Sequence, residues 1–259
     1  MPVIGGTLGA SMMEVPARRY AFFDLDGTLL PWDTQLMFCN FVLQKHPWRR
    51  LYQVLFFLML PLAALRILHG RSMKRFFLGY LAGATPTQMA QWASEFAAGP
   101  VRRHVWPEML AEVEARRRDG CILVLNTASP MLYAEAIARE LGFEVCLGTR
   151  VQPYTRLPWV PNFVGPNNKR EAKIAAMRHY GPLDQHTPLP IAGSWAYTDS
   201  PVDIPLLGCA EHGVLVHPKP GFAQLCPARG WRIVLPRPAV SRAQWRWASL
   251  AMLFGIWNG

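Results

Sequence analysis

The chain has 259 residues, of which 51% are hydrophobic and only 17% are charged, and its formal net charge is +10. This length is enough for one large α/β domain with a smaller insert. The five cysteines are odd in number and show no CxxC spacing, which argues against disulfides or a cysteine metal site and indicates reduced core thiols. The positive charges cluster beside the most apolar segment, so we expect an anionic membrane surface or a phosphorylated compound as partner, and no nucleic acid.

The first strand is predicted at Tyr20–Phe23, after a lead-in that lacks the pattern of a secretory signal and is expected to be flexible. This run is apolar on both faces, which is typical of a buried parallel strand. Asp24 and Asp26 follow directly, and Gly27 permits a turn. Ligands of α/β sheets bind at the carboxyl ends of the strands, and two crowded carboxylates repel unless a cation joins them. The pattern therefore predicts a Mg²⁺ site here.

A helical insert is expected from about residue 31 to residue 106, and its first helix is predicted over Asp33–His46. The apolar segment 51–68 would span about 27 Å as one helix, which is marginal for a hydrocarbon core of roughly 30 Å, and Pro61 and Arg66 interrupt it. We favour a membrane-embedded or re-entrant helix, and a buried helix of a large cap is the alternative. The cations that flank this segment are Arg49, Arg50, Arg66, His69, Arg71, Lys74 and Arg75.

A second strand is predicted over Cys121–Pro130, after helices at about 72–82, 85–98 and 107–119, and a helix over Met131–Leu141 follows it at once. Thr127 and Ser129 should therefore lie where a strand ends near a helix N-terminus, a position suited to a phosphate. Thr127 is the better candidate ligand, because Ser129 is also placed to cap the helix.

The next segments predict a short strand over 144–147, an irregular loop or loose hairpin over 149–166, and a helix over 168–180. Lys169 and Lys173 should lie on adjacent turns of one face of that helix, which Asn167 or Asn168 would cap.

The last part of the chain contains a strand predicted to end at Asp199, with Asp203 four residues later at the start of a helix. Two further strands are expected at 213–217 and 231–235. The tail, residues 239–259, combines Arg and Trp with an apolar end, a composition typical of the lipid interface. Packing of this tail on the cap is the alternative.

Four motifs follow one another along the chain: FDLDGTLL, TASP, the lysine helix and TDSPVD. Their order is that of the four motifs of the haloacid dehalogenase-like phosphohydrolases, a family that this chain resembles from Tyr20 to Leu235. The insert after the first motif is similar to that of the phosphoserine-phosphatase-like branch with a helical cap. The resemblance implies a Rossmann-like parallel sheet core flanked by helices, with an inserted α-helical cap. It also implies the following domains: a catalytic core at 18–32 and 106–238, a cap at 33–105, and an amphipathic tail at 239–259.

The resemblance implies a role for each candidate catalytic residue. Asp24 would be the nucleophile that forms an aspartyl-phosphate, and Asp26 would be the general acid and base. Thr127 would bind the phosphoryl group. The motif lysine, which neutralises the charge of this group, would be Lys173, with Lys169 as the alternative.

The same resemblance implies a Mg²⁺ site held by Asp24, by the backbone carbonyl of Asp26 and by Asp199. Asp203 would act on the metal through water. Asp33 would contact the substrate or cap, unless it only caps the first cap helix. One departure is Thr198, where glycine is commoner in the family.

The apolar insert, the HGR that follows it and AYTDSPVDIPLL also resemble a family of bacterial inner-membrane phosphatases that act on phosphatidylglycerophosphate. We therefore expect hydrolysis of a lipid phosphate at the cytoplasmic face of the cytoplasmic membrane. The alternative is a cytoplasmic phosphatase of a soluble metabolite such as phosphoserine. A non-catalytic membrane-bound scaffold is a third possibility, against which the intact acidic motifs argue.

Overall fold

The computed structural model describes residues 18–65, 67 and 70–259. The predicted lead-in and the flanking residues Arg66 and His69 lie outside this part. Within it, seven strands form one sheet: β1 (Tyr20–Phe23), β2 (Ile122–Pro130), β3 (Val145–Val151), β4 (Phe163–Val164), β5 (Ile191–Thr198), β6 (Ala210–Val216) and β7 (Arg232–Val234).

The strand order is β4-β3-β2-β1-β5-β6-β7, and every neighbouring pair is parallel except β3 and β4. The predicted Rossmann-like fold class is confirmed. β1 is the middle strand of the sheet, and all four of its residues are buried. Phe23 pairs with Leu125 on one side and with Tyr197 on the other. The carboxyl ends of β1, β2 and β5 therefore meet at one edge of the sheet, which is where the acidic motifs follow.

Helices of the insert lie between β1 and β2 along the chain: α1 (Thr34–Lys45), α2 (Val54–Ala64), α3 (Gly70–Phe77), α4 (Pro86–Phe96) and α5 (Arg102–His104). Short 3-10 segments occupy Pro47–Gln53 and Leu78–Leu81, and a π-helical turn occupies Ala97–Val101. Aromatic side chains join the insert to the core: Phe38 of α1 contacts Phe96 of α4 and also Tyr133 beyond β2, all three buried.

Helices of the core and tail are α6 (Pro107–Arg118), α7 (Met131–Glu140), α8 (Glu171–His179), α9 (Ile204–Leu207), α10 (Pro220–Ala223), α11 (Cys226–Arg229) and α12 (Arg242–Leu253). α7 packs against β2 and β3, and α9 packs against β5 and β6. All five cysteines are free, and four of them are buried, consistent with core thiols.

The apolar segment 51–68 does not form a single helix. Its start is part of the 3-10 segment, and α2 has only 11 residues. Pro61 lies inside α2 and has no N–H to donate. No helix in the described ranges is long and apolar enough to cross a membrane. The length of about 27 Å calculated for one 18-residue helix therefore does not apply to this segment.

Three smaller predictions are also corrected. The strand expected at 144–147 continues to Val151. Val151 pairs with Phe163, so the segment after the strand forms a loose hairpin, which was one of the two predicted alternatives. The helix expected at 168–180 begins only at Glu171. Lys169 consequently lies before the helix rather than on its face.

The tail packs on the insert, which is the second of the two predicted alternatives. Ala248 and Met252 of α12 are buried, and α12 lies against α1. A capping box between Ser241 and Gln244 begins the helix.

Candidate active site

Lys173 joins two of the predicted acidic residues. Its Nζ lies 2.6 Å from Asp24 Oδ1 and 2.6 Å from Asp203 Oδ2, and its side chain is 1% exposed. Burial lowers the pKa of Lys173, but the two carboxylates raise it above its ordinary value, so the ammonium group stays charged. Burial raises the pKa of Asp24 to about 6, and Lys173 opposes this rise. The neighbouring ammonium group thus favours the ionised form of Asp24, which is the form that a nucleophile needs.

Lys169 has a different environment. It is exposed and borders a cavity on the insert side of the site. Since Lys173 is buried against Asp24 and Lys169 is not, the geometry favours Lys173 for the charge-neutralising role.

Asp26 is held by one hydrogen bond to each oxygen of its carboxylate. Oδ1 accepts from the backbone N–H of Thr34 at 2.7 Å, and Oδ2 accepts from Ser129 Oγ at 2.8 Å. The two hydroxyl groups of Thr34 and Ser129 also lie 2.9 Å apart. Burial, followed by the charge of Asp33, raises the pKa of Asp26 to about 6. This value suits a group that must both give and take a proton near neutral pH.

The predicted capping of the helix after β2 by Ser129 is wrong. The residue at the N-cap of α7 is Pro130, which makes no side-chain cap. The pairing register of β2 shifts between Asn126 and Pro130, where the strand is irregular. Ser129 donates to Asp26 instead, so sequence reasoning assigned it to the wrong partner.

Thr127 is fully buried, and its Oγ1 accepts from the backbone N–H of Ser129 at 3.0 Å. Two amides that sequence reasoning did not assign to the site support this strand end. Asn168 donates to the carbonyl of Thr127 at 2.9 Å and to Asn126 Oδ1 at 2.8 Å. Asn126 in turn donates to the carbonyl of Lys173 at 3.2 Å. The expected capping role of Asn168 is therefore wrong, because the N-cap of α8 is Arg170.

Asp199 follows β5 and lies beside the first motif. Its backbone N–H donates to Thr28 Oγ1 at 3.0 Å, which fixes the fourth motif against the first. Gly27 has a φ of 77°, and a Cβ added to it would meet Asp199 Oδ2 at 2.6 Å. Glycine is required here on both grounds. Burial, followed by the charge of Asp24, raises the pKa of Asp199 to about 7.

The donors around Asp199 fit a hard divalent cation. All are oxygen atoms, and the repulsion that raises the pKa of Asp199 comes from Asp24, Asp203 and Asp26. No three His, Cys, Asp or Glu side chains gather around one point in the part of the chain that the structure describes. The predicted set does not need three, because Mg²⁺ commonly binds one or two carboxylates and keeps several waters. Asp203 Oδ1 is buried without a protein partner among the described residues, so it can accept from such a water.

Two cavities border Asp26. The smaller has a volume of about 580 Å³ and is bordered by Ala128 and Ser129, which follow the predicted phosphate ligand Thr127. The larger has a volume of about 880 Å³ and is bordered by Gly27 and Asp199, on the predicted metal side. The side chains that border the smaller cavity include three cations, Arg71, Lys74 and Lys169.

Asp33 borders both cavities, together with Asp26. Its Oδ1 accepts from the backbone N–H groups of Gln35 at 2.9 Å and Leu36 at 3.1 Å, so it is the N-cap of α1. Its hydrogen bonds are therefore those of the capping alternative. Because Asp33 also borders both cavities, it lies beside the predicted substrate-binding space.

Lys74 extends from α3 into the smaller cavity. Its Nζ donates to the carbonyl of Ala128 and, at 3.3 Å, to Asn167 Oδ1. Burial lowers the pKa of Lys74 to about 8. A cation of the insert therefore contacts the residue that follows the predicted phosphate ligand Thr127.

Comparison with known proteins gives consistent matches. Residues 21–208 match the model of the haloacid dehalogenase-like hydrolase family. The chain is 24% identical to phosphoserine phosphatase SerB1 of Mycobacterium tuberculosis over 219 residues, covering 82% of this chain and 69% of that protein. It is 21% identical to a histidinol-phosphatase of Neisseria meningitidis over 160 residues, covering 62% of this chain and 72% of that protein. A structure of a protein of unknown function from Bordetella pertussis has a TM-score of 0.68 and 26% identity, covering 84% of this chain and 98% of that one.

Proposed function

We propose that this chain, which belongs to the haloacid dehalogenase-like hydrolases and is a phosphatase, hydrolyses phosphomonoesters through an aspartyl-phosphate on Asp24 with the help of Mg²⁺. The observation that carries this proposal is the buried Lys173 between Asp24 and Asp203. An ammonium group in that position keeps the nucleophile ionised and attracts the phosphoryl group.

In the first half-reaction, Asp24 Oδ attacks phosphorus and the alkoxide leaves on the opposite side. Asp26 gives its proton to the leaving oxygen, while Thr127 and Lys173 hold the phosphoryl oxygens. In the second half-reaction, the now ionised Asp26 takes a proton from water, which attacks the aspartyl-phosphate and releases inorganic phosphate. Bound Mg²⁺ would supply charge stabilisation, held by Asp24, Asp199 and the Asp26 carbonyl, with Asp203 acting through water.

The names of two relatives favour a small soluble substrate over the lipid phosphate that the sequence led us to expect. One relative is a phosphoserine phosphatase and another is a histidinol-phosphatase. A cytoplasmic enzyme that acts on a phosphorylated metabolite is therefore the first candidate.

A lipid phosphate at the cytoplasmic membrane face is the second candidate, and one observation favours it. None of the residues of α2 is buried, although the helix is almost entirely apolar. Leu58 is 61% exposed, and the neighbouring Phe56 borders the smaller cavity. Exposed apolar surface of this kind is typical of contacts with a membrane or with another protein. Arg50, before α2, and Arg71, after it, would add attraction to anionic lipid.

The experiment measures phosphate release by purified protein, with and without Mg²⁺, from phosphoserine, histidinol phosphate and phosphatidylglycerophosphate in detergent micelles. The proposal predicts Mg²⁺-dependent release from at least one of them. Release that is unaffected by Asp24→Asn would contradict the aspartyl-phosphate mechanism.

Flotation with anionic vesicles tests the second candidate separately. The variant is Leu58→Glu, and the matched control is Leu235→Glu, because the two leucines are 61% and 63% exposed. The second candidate predicts that wild type and Leu235→Glu float with the vesicles and that Leu58→Glu floats much less. Wild-type protein that does not bind vesicles leaves the soluble substrate as the only candidate of the two.

A further inference from the structure

One face of α12 borders both cavities of the active site. Arg242, Trp245 and Arg246 border the larger cavity, and Ser249, Leu250 and Leu253 border the smaller one. The positions 242, 245 and 246, 249 and 250, and 253 recur once in each turn of the helix, so they form a single stripe along it. The neighbouring face carries Ala248 and Met252, which are buried. The family match ends at residue 208, so α12 is not part of the shared motifs.

α12 is held firmly in this position. Gln53 Nε2 donates to the carbonyl of Leu253 at 3.0 Å. Just beyond the helix, Asn40 of α1 exchanges two hydrogen bonds with the backbone of Trp257, at 3.0 and 3.1 Å. Phe254 stacks on Phe57 of α2, with ring centroids 5.6 Å apart. These contacts fix the stripe relative to α1, whose N-terminus contacts Asp26, so the distance from α12 to the catalytic acid is also fixed.

The smaller cavity is bordered by two chemically different sets of side chains. Lys74, which donates to the carbonyl of Ala128, provides positive charge beside Ser129, and Arg71 also borders the cavity. The apolar border of the cavity consists of Leu250 and Leu253 from α12 and of Leu36, Phe56 and Phe77 from the insert. In the proposed reaction Asp26 gives its proton to the leaving oxygen, and Asp26 borders this cavity, so the alcohol part of a phosphomonoester can extend into it. The groups that it can meet there include these aliphatic and aromatic side chains.

We propose that α12 determines substrate selectivity, with Leu250 and Leu253 contacting an aliphatic segment of the alcohol that leaves the phosphoryl group. This proposal rests on the proposed function and narrows its substrate class to phosphomonoesters that carry several adjacent carbons. Such a chain can belong to a lipid or to a water-soluble alkyl phosphate.

The experiment compares kcat/KM for propyl phosphate, for monomeric octyl phosphate, and for phosphatidate held in vesicles. The test variant is Leu250→Asn, since Leu250 is 53% exposed and its replacement leaves the helix packing intact. The control is Trp247→Asn, since Trp247 is 73% exposed and borders neither cavity. Leu253→Ala is a second test variant, and thermal melting checks that all variants are folded.

We expect wild type to prefer a long-chain substrate to propyl phosphate. Leu250→Asn should lower kcat/KM for that substrate about tenfold, since one methylene group more or fewer in an apolar pocket commonly changes kcat/KM by about tenfold or more. The same variant should change the value for propyl phosphate less than about twofold, and Trp247→Asn should change neither. A preference for octyl phosphate identifies a water-soluble source of the chain, and a preference for phosphatidate identifies a lipid; both support the proposal.

Two outcomes would overturn it. Phosphate release without any preference for chain length, or equal losses on short and long substrates in Leu250→Asn, refutes the role of α12 and leaves the proposed function standing. A protein that releases phosphate from no ester refutes both.

Discussion

Replacing Lys173 with methionine would leave two buried carboxylates facing each other without their cation. Asp24 and Asp203 are 7% and 5% exposed, and each lies 2.6 Å from the ammonium group in the wild type. Removing one partner of a buried ion pair typically costs about 3–5 kcal/mol. Because two carboxylates lose the same partner here, we expect the upper part of that range. Activity should fall at least about 100-fold, since a charge aimed at the phosphoryl group is removed.

The loss of stability in Lys173→Met should depend on pH. Burial already raises the pKa of Asp24 in the wild type and Lys173 opposes this rise, so without the lysine we expect the pKa of Asp24 in the folded state to lie still further above its unfolded value of about 3.9. Between those two pKa values the folded state binds more protons than the unfolded state, so the free energy of unfolding falls as the pH rises. The deficit relative to wild type should therefore be largest near neutral pH and smaller at about pH 5.

Urea unfolding followed by tryptophan fluorescence, in EDTA, measures this deficit at about pH 7.5 and about pH 5. Lys169→Met is the matched control, because Lys169 is exposed, and its effect on stability should stay within about 0.5 kcal/mol. Adding Asp203→Asn to Lys173→Met should recover part of the stability but not the activity. A deficit below about 1 kcal/mol, or one of equal size at both pH values, would refute the reasoning.

Three further predictions concern other residues of the site. Asp24→Asn should abolish Mg²⁺-dependent phosphate release while thermal melting shows an intact fold; near wild-type turnover by protein free of deamidation would contradict the role of Asp24. Ser129→Ala should lower kcat about tenfold with little change in KM, because Asp26 loses one of two hydrogen bonds that orient it; a change confined to KM would assign Ser129 to binding instead. Since burial lowers the pKa of Lys74 to about 8, kcat/KM for an anionic substrate should fall as the pH rises through that value, and Lys74→Arg should move this basic limb upward; an unmoved limb would exclude Lys74 as its source.

The sequence predicted the sheet and the acidic motifs well because their signals are local. A fully apolar strand such as Tyr20–Phe23 can only be buried on both faces, and parallel strands bring their carboxyl ends together. The position of Asp24, Thr127 and Asp199 at one edge follows from those two rules. Lys173, the lysine that the resemblance favoured over Lys169, is the one that contacts Asp24, although the predicted start of its helix was wrong.

The supporting residues could not be predicted because their partners depend on irregular backbone. Ser129 reaches Asp26 only through the shift in register within β2, which no periodicity reveals. Asn168 faces a strand end because α8 begins later than its asparagines suggested. In the apolar segment, composition gave only the length that one continuous helix would have, whereas α2 occupies Val54–Ala64 of it.

The hydrogen bond from the backbone N–H of Thr34 to Asp26 connects the insert directly to the catalytic acid. At 2.7 Å it has little room to lengthen before it exceeds the usual limit of about 3.2 Å. A displacement of the α1 N-terminus by about one ångström would therefore release one oxygen of the carboxylate. In the proposed reaction, Asp26 can therefore be aligned as proton donor only while the N-terminus of α1 is docked against it.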